Sequence, residues 1–319
     1  MGSYALTVPF SGTSLLDHKS IVQRAEELGY SEIWSSEVDG FDAFSPLVLA
    51  GCWSGSVRLG TAIVPAFTRG PATLAMSVAA LCDVAPGRVS LGVGSSSNVI
   101  VERWNASSFE KPYQRTRDIV RFLREALQGD RVDRDYDTFS VSGFRLAKPP
   151  ESQPEILVAA LREQMLAMSS KEADGAILNW LSPDDVRFVR RYLNPDKKIV
   201  ARVFVCPSRD IEAVRSGAKR LIAAYLNVPV YAEFHRWLGR GESLSSMWDN
   251  WTRGDRKQAV AQVPDDVVDE LVVHGDPKTC KAKLDDYIEA GVDVAVAAFL
   301  PFGVSEPEAL EALGQTFVA

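Results

Sequence analysis

The 319-residue chain is 46% hydrophobic and 24% charged, the make-up of a globular protein with a large core. Its formal net charge of −7, with no run of five Lys and Arg, excludes the basic stripe that marks a nucleic-acid partner. Cys52, Cys82, Cys206 and Cys280 lie far apart with no CxxC, so neither a disulfide framework nor a zinc site is expected. Each reads as a small buried hydrophobe. Residues 1–10 lack the basic start and long apolar stretch of a signal peptide, and no window approaches a membrane span. A soluble, cytoplasmic protein is expected.

Short apolar runs alternate with longer amphipathic segments along the chain. Predicted strands cover residues 4–8, 32–35, 58–64, 88–93, 156–159, 175–179, 199–206 and 292–300. The runs Ile156-Leu157-Val158-Ala159-Ala160 and Val294-Ala295-Val296-Ala297-Ala298 are continuous, as in strands covered on both faces. Between the strands the period becomes helical. Ile21, Val22, Ala25 and Leu28 form a stripe that Ser20 is expected to cap and Gly29 to close. Ile119, Val120, Leu123 and Leu127 form another. Ser182-Pro183-Asp184-Asp185 and Asp276-Pro277 read as helix starts, and Gly291 as a stop. Eight strands alternating with helices point to a single-domain (β/α)8 TIM barrel.

Two stretches interrupt the alternation. Residues 129–144 read as a hairpin after the fourth helix. Residues 225–263, between the seventh and eighth strands, are too long for a connection and contain Trp237, Trp248 and Trp251. Their place on the strand-to-helix side suits a mobile cover over a site.

No GxSxG, HExxH, Walker A or GxGxxG pattern is present, and His18, His235 and His274 are scattered, each reading as a structural or surface residue. A chain so poor in acid–base motifs is expected to leave its chemistry to a cofactor. Barrel sites form at the C-terminal ends of strands. There the sequence places Ser36-Glu37, Ala62-Ile63-Val64-Pro65, Gly94-Ser95-Ser96-Ser97-Asn98, Ala159-Ala160-Leu161-Arg162 and Asn179-Trp180. This mostly neutral rim suits a flat ligand contacted by backbone. Arg162, at a helix start against the dipole, favours an anion nearby.

These residues also resemble a known family. Ala25-Glu26-Glu27-Leu28-Gly29-Tyr30, Ile33-Trp34 and Glu37 look like the first βαβ unit of the luciferase-like oxidoreductases. Leu59-Gly60-Thr61-Ala62 with Arg69-Gly70-Pro71 resembles their third strand and turn. Pro86-Gly87-Arg88-Val89-Ser90-Leu91-Gly92-Val93-Gly94-Ser95 is similar to their most recognisable segment. Pro154 to Ala160, Ala173-Asp174-Gly175, His274-Gly275-Asp276-Pro277 and Ala290-Gly291-Val292-Asp293 follow in order. Ser95-Ser96-Ser97 and Val101-Glu102-Arg103-Trp104-Asn105 look most like the actinobacterial F420-dependent branch.

The resemblance implies a deazaflavin, coenzyme F420, across the C-terminal mouth, with FMN as the alternative. It implies a non-prolyl cis peptide in the third-strand bulge at Ala62–Ile63, with Val64 beside it. It places the phosphate-bearing tail at Ala159, Ala160, Leu161, Arg162, Asn179 and Trp180. Ser95, Ser96, Ser97 and Asn98 would line the ring and substrate side, and flanking helices would pair the chain into a homodimer. Glu37 and Ser97 are the candidate catalytic residues. They stand where the family's sugar-phosphate dehydrogenases carry an Asp-His pair and a glutamate, a departure that argues against a sugar phosphate and for another, apolar substrate. The expected activity is hydride transfer between F420 and that substrate. An FMN-dependent monooxygenase and a non-catalytic cofactor-binding barrel are the alternatives.

Overall fold

A computed structural model describes residues 2–318. Eight parallel strands close into a barrel: β1 (Ser3–Thr7), β2 (Glu32–Ser35), β3 (Arg58–Thr61), β4 (Val89–Gly94), β5 (Glu155–Ala159), β6 (Gly175–Asn179), β7 (Lys198–Cys206) and β8 (Val294–Phe299). Each pairs with the next in chain order, and β8 pairs with β1. The eight predicted strands are these eight. Apolar runs such as Val294-Ala295-Val296-Ala297-Ala298-Phe299 are buried throughout because helices cover the barrel outside while side chains fill its interior.

Three features differ from the sequence reading. The third strand stops at Thr61 and re-enters the sheet only at Val64–Pro65, beside Val93 and Gly94, so it is not continuous over 58–64. A further strand, Val272–His274, lies along the upper half of β7, past the point where β6 ends. Three residues following a helix carry no periodicity by which to recognise it. The first helix starts at His18 and not after Ser20, because a turn over residues 14–17 winds directly into it. Ser20 donates its hydroxyl to the Asp17 carbonyl instead of capping. Gly29 closes that helix with φ of +86°, a conformation glycine adopts without cost.

The other punctuation holds. Ser182 and Asp185 form a reciprocal capping box, and Asp276 caps its helix by accepting from the Thr279 amide. The hairpin pairs Val132–Asp135 with Ser140–Phe144, and its Tyr136, Phe139 and Phe144 surround Phe122 of the helix Pro112–Leu127. Cys82, Cys206 and Cys280 are buried, whereas Cys52 is exposed, contrary to expectation.

At the N-terminal end of the barrel, charge is inward but matched. Arg58 and Lys198 both reach Glu155, which also accepts from Ser90, and buried Glu32 accepts from Trp34 Nε1. Burial pushes the Glu32 carboxyl above its ordinary range. Matched charge at this end belongs to stability; the site lies at the other. No helix among the described residues is long and apolar enough to cross a membrane.

Candidate active site

The C-terminal mouth holds a cavity of about 600 Å³. Its first wall is the break in β3. Thr61 spans the gap to β4 with its side chain: Oγ1 donates to the Gly92 carbonyl at 2.9 Å and accepts from the Gly92 amide at 2.8 Å. The strands approach so closely that a Cβ on Gly92 would fall 2.0 Å from the Thr61 carbonyl oxygen, so only glycine fits. The Ala62–Ile63 peptide is cis, as the resemblance implied. Ala62 and Ile63 line the cavity, while Val64 points into the core and does not.

Ser95, Ser96 and Ser97 line the adjoining wall. Ser96 takes φ of +62°, an uncommon conformation outside glycine, which turns the chain sharply off β4. A π-helical turn, Val99–Trp104, follows, with the Ser97 carbonyl accepting from the Val101 amide. Asn98 sits at its start and, unlike Ile100, does not reach the cavity.

Glu37 lines the cavity but is heavily engaged. Both its carboxylate oxygens take Arg69, and the Ala43 amide and the Thr68 hydroxyl also donate to it. Arg69 in turn lies over the Phe44 ring. The pair ties the loop after β2 to the loop after β3, 32 residues apart in sequence.

Across the mouth, Ala159, Leu161 and Arg162 line the end of β5, Arg162 as an exposed N-cap of the helix Glu163–Glu172. Ala160 is buried in the core and does not reach the cavity. Asn179 lines it; Trp180 does not. The Trp180 backbone is left-handed, φ +57°, and its ring is buried against Phe204, centroids 4.0 Å apart. A bulky residue so placed is a strained position held by its surroundings.

Among the lining residues that escaped the sequence reading, two carry polar groups deep in the cavity wall. Arg202, a lone charge inside the apolar run of β7, lines the cavity. Tyr231, from the insertion, lines it too and accepts a 3.0 Å hydrogen bond from the Asn179 amide. Burial pushes the Tyr231 phenol up, so it stays protonated. The charge on Arg202, inside the apolar run Ile199–Cys206, was the available signal; nothing in the sequence pairs Tyr231 with Asn179.

The insertion runs from the end of helix Ile211–Leu226 through helices Pro229–Trp237, Ser245–Thr252 and Arg256–Ala261. Tyr225, Val228, Val230, Tyr231 and Trp237 face the cavity. Of its three tryptophans only Trp237 does so. Trp248 is buried and donates Nε1 to the Leu226 carbonyl at 2.8 Å, and Trp251 packs with it against the apolar cluster that includes Ile222, Leu226 and Met247. Among the described residues, no histidine lines the cavity. His18 accepts from the Phe10 amide, His274 contacts Asp269, and His235 is fully buried.

The family described as luciferase-like monooxygenase matches residues 4–294 of the chain. A Mycobacterium tuberculosis protein whose name places it among coenzyme F420-dependent oxidoreductases is 26% identical over 311 residues, covering 88% of this chain and 90% of that one. The 5,10-methylenetetrahydromethanopterin reductase of Archaeoglobus fulgidus is 23% identical over 316 residues, 93% of each chain. Among solved structures, the coenzyme F420 dependent tetrahydromethanopterin reductase of Methanopyrus kandleri superposes with a TM-score of 0.81 at 18% identity. That superposition covers 98% of this chain and 97% of the other, and confirms the barrel.

Proposed function

The chain belongs to the luciferase-like monooxygenase family, a family of oxidoreductases, and on that premise we propose hydride transfer between the deazaflavin F420 and an organic substrate with an apolar body. One observation carries the reading. The cavity has a small, neutral floor, Ala62, Ile63, Ser95, Ser96, Ser97 and Ala159, on which a planar ring can lie, and no acid–base pair. The donor set fits the group: serine hydroxyls, the Asn179 amide and Arg162 at the rim suit a polar ring edge and a phosphate tail.

When bound, F420 would supply the hydride chemistry at C5 of its ring. The protein's own part is orientation, exclusion of water and at most one proton. We propose that Ala62 and Ile63 back the ring and that Ser95, Ser96 and Ser97 flank it. Ala159, Leu161 and Arg162 would hold the tail. Val64, Ala160, Trp180 and Asn98 would act from behind these residues, by shaping the backbone. Ser97 keeps a hydroxyl on the substrate side. Glu37, with its carboxylate taken by Arg69, is read as a positioning residue for the loop after β2 and not as a proton donor.

Titration of the purified apoprotein with F420 and, separately, FMN tests this, followed by fluorescence. Submicromolar-to-micromolar binding of F420 is expected, with FMN weaker by about tenfold or more. Equal or tighter FMN binding would reverse the assignment in favour of an FMN-dependent monooxygenase.

The same reading gives the insertion the part of a cover. A cover that keeps water out strengthens the electrostatics of the site it closes. Hydrogen exchange over residues 225–263 is expected to slow on F420 binding, and Trp237→Ala to lower turnover. Unchanged exchange together with unchanged turnover would end the idea. Homodimerisation through flanking helices belongs to this reading by family likeness; a stable monomer in sedimentation at micromolar concentration would remove it.

A further inference from the structure

Among the described residues, Arg202 is a cation with no carboxylate within ion-pair distance. It stands on β7 at the register level of Asn179 on β6 and Val296 on β8. Its guanidinium lies over the Phe204 ring, 4.8 Å from the centroid, and lines the cavity. Its Nε is wholly buried with no hydrogen-bond partner, and among the described residues no carboxylate pairs with it. Several other partly buried cations are matched by carboxylates. Arg58 and Lys198 reach Glu155, Arg240 reaches Asp185 and Glu270, and Arg69 reaches Glu37. Of the acids lining the cavity, Glu37 is taken by Arg69 and Glu163 is exposed at the rim. A guanidinium held partly out of water without a partner is unfavourable unless a ligand provides one.

A second donor faces the same space. The Tyr231 hydroxyl accepts from Asn179, which leaves its own proton without an acceptor among the described residues. Asn179, the register partner of Arg202 on the next strand, is the residue that bonds Tyr231, and all three line the one cavity. The position separates this pair from the proposed ring site. In the closed barrel β7 lies four strands from β3 in either direction, directly across the mouth from the 62–63 break. Tyr231 also comes from the covering insertion and not from a barrel strand.

We propose that Arg202 and Tyr231 anchor a carboxylate of the substrate, which makes the substrate an organic acid with an apolar body. The assignment to substrate rests on the reading that the deazaflavin ring lies against residues 62–63. One guanidinium and one hydroxyl match the two oxygens of a carboxylate. A phosphate would call for more donors than converge here. The other apolar lining, Ile177, Val228 and Trp237, suits a hydrocarbon or aromatic body.

The test titrates the apoprotein with a series of straight-chain and aryl-terminated alkanoates of increasing length and with their primary amides, read by calorimetry. Wild type is expected to bind at least one acid about tenfold or more tighter than its amide. Arg202→Gln should abolish that preference and Arg202→Lys retain part of it, while Tyr231→Phe reduces it. F420 affinity should be unchanged in Arg202→Gln. The proposal is overturned if no acid is preferred over its amide, or if Arg202→Gln keeps the preference. It is overturned equally if Arg202→Gln loses F420 binding, which would place the anion on the cofactor. Should Arg202→Gln fail to fold, an undiminished preference in Arg202→Lys and Tyr231→Phe overturns it. The acids are titrated without F420, so failure of the cofactor assignment, seen as wild type not binding F420, is read separately.

Discussion

Replacing Arg240 by methionine is expected to destabilise the protein by about 3 kcal/mol, because it strands a buried carboxylate. Arg240 is 8% exposed and lies just beyond the helix Pro229–Trp237. Its guanidinium reaches Asp185 at 2.8 Å, at the start of the helix after β6, and Glu270 at 2.8 Å, before the Val272–His274 strand. One side chain therefore joins the insertion to two barrel elements. The Glu270 bond is half-exposed and contributes little. The Asp185 bond is the one that matters, since that carboxylate is nearly as buried as its partner. Asp185 keeps the Ser182 amide and hydroxyl, which holds the loss toward the lower end of the range for a broken buried pair. Denaturant midpoints of Arg240→Met, Asp185→Asn and the double variant measure this. The double variant should lose clearly less than the sum of the singles. A loss under about 1 kcal/mol in Arg240→Met would show the pair to be dispensable.

How far the sequence carried depends on where each feature takes its cause. Barrel strands are caused locally: Ile156 to Ala159 and Val294 to Phe299 must be apolar on both faces, and that shows as continuous runs. Caps are local too, and the Ser182 and Asp276 starts stand in the structure. The break in β3 is not local. It depends on Thr61 bridging to Gly92 and on the space that glycine leaves, 31 residues away. The π-helical turn at Val99–Trp104 likewise follows from the left-handed Ser96, which a row of serines does not announce. Strand ends give the site's address, so Ala62, Ile63, Ser95, Ser96, Ser97, Ala159, Leu161, Arg162 and Asn179 do meet at one cavity. Position alone does not say which way a side chain points. For that reason Val64, Ala160 and Trp180, each adjoining a lining residue, turn into the core.

Acid is expected to weaken the protein through His235, in a window set by one buried ring. His235 is fully buried, and neither ring nitrogen has a hydrogen-bond partner. Burial, and next the Arg240 charge, push its pKa down from 6.5 to about 3. The Trp180 backbone, near the ring but outside hydrogen-bonding geometry, acts weakly the other way. The folded protein thus holds His235 neutral, while the unfolded chain protonates it below about 6.5. Between those values the unfolded state binds the extra proton, so stability rises with pH. The contribution is complete above the unfolded value and is lost as pH falls toward the folded one. At pH 5 the loss relative to pH 7.5 comes to about 2 kcal/mol. Other groups also titrate here, so the informative quantity is a difference between two proteins. His235→Leu keeps the space filled and removes the proton site. The stability of wild type relative to His235→Leu should fall by about 2 kcal/mol between pH 7.5 and pH 5 in matched denaturant titrations. A gap between the two proteins that stays constant with pH would mean that His235 reaches water, through loose packing of the insertion around Trp180.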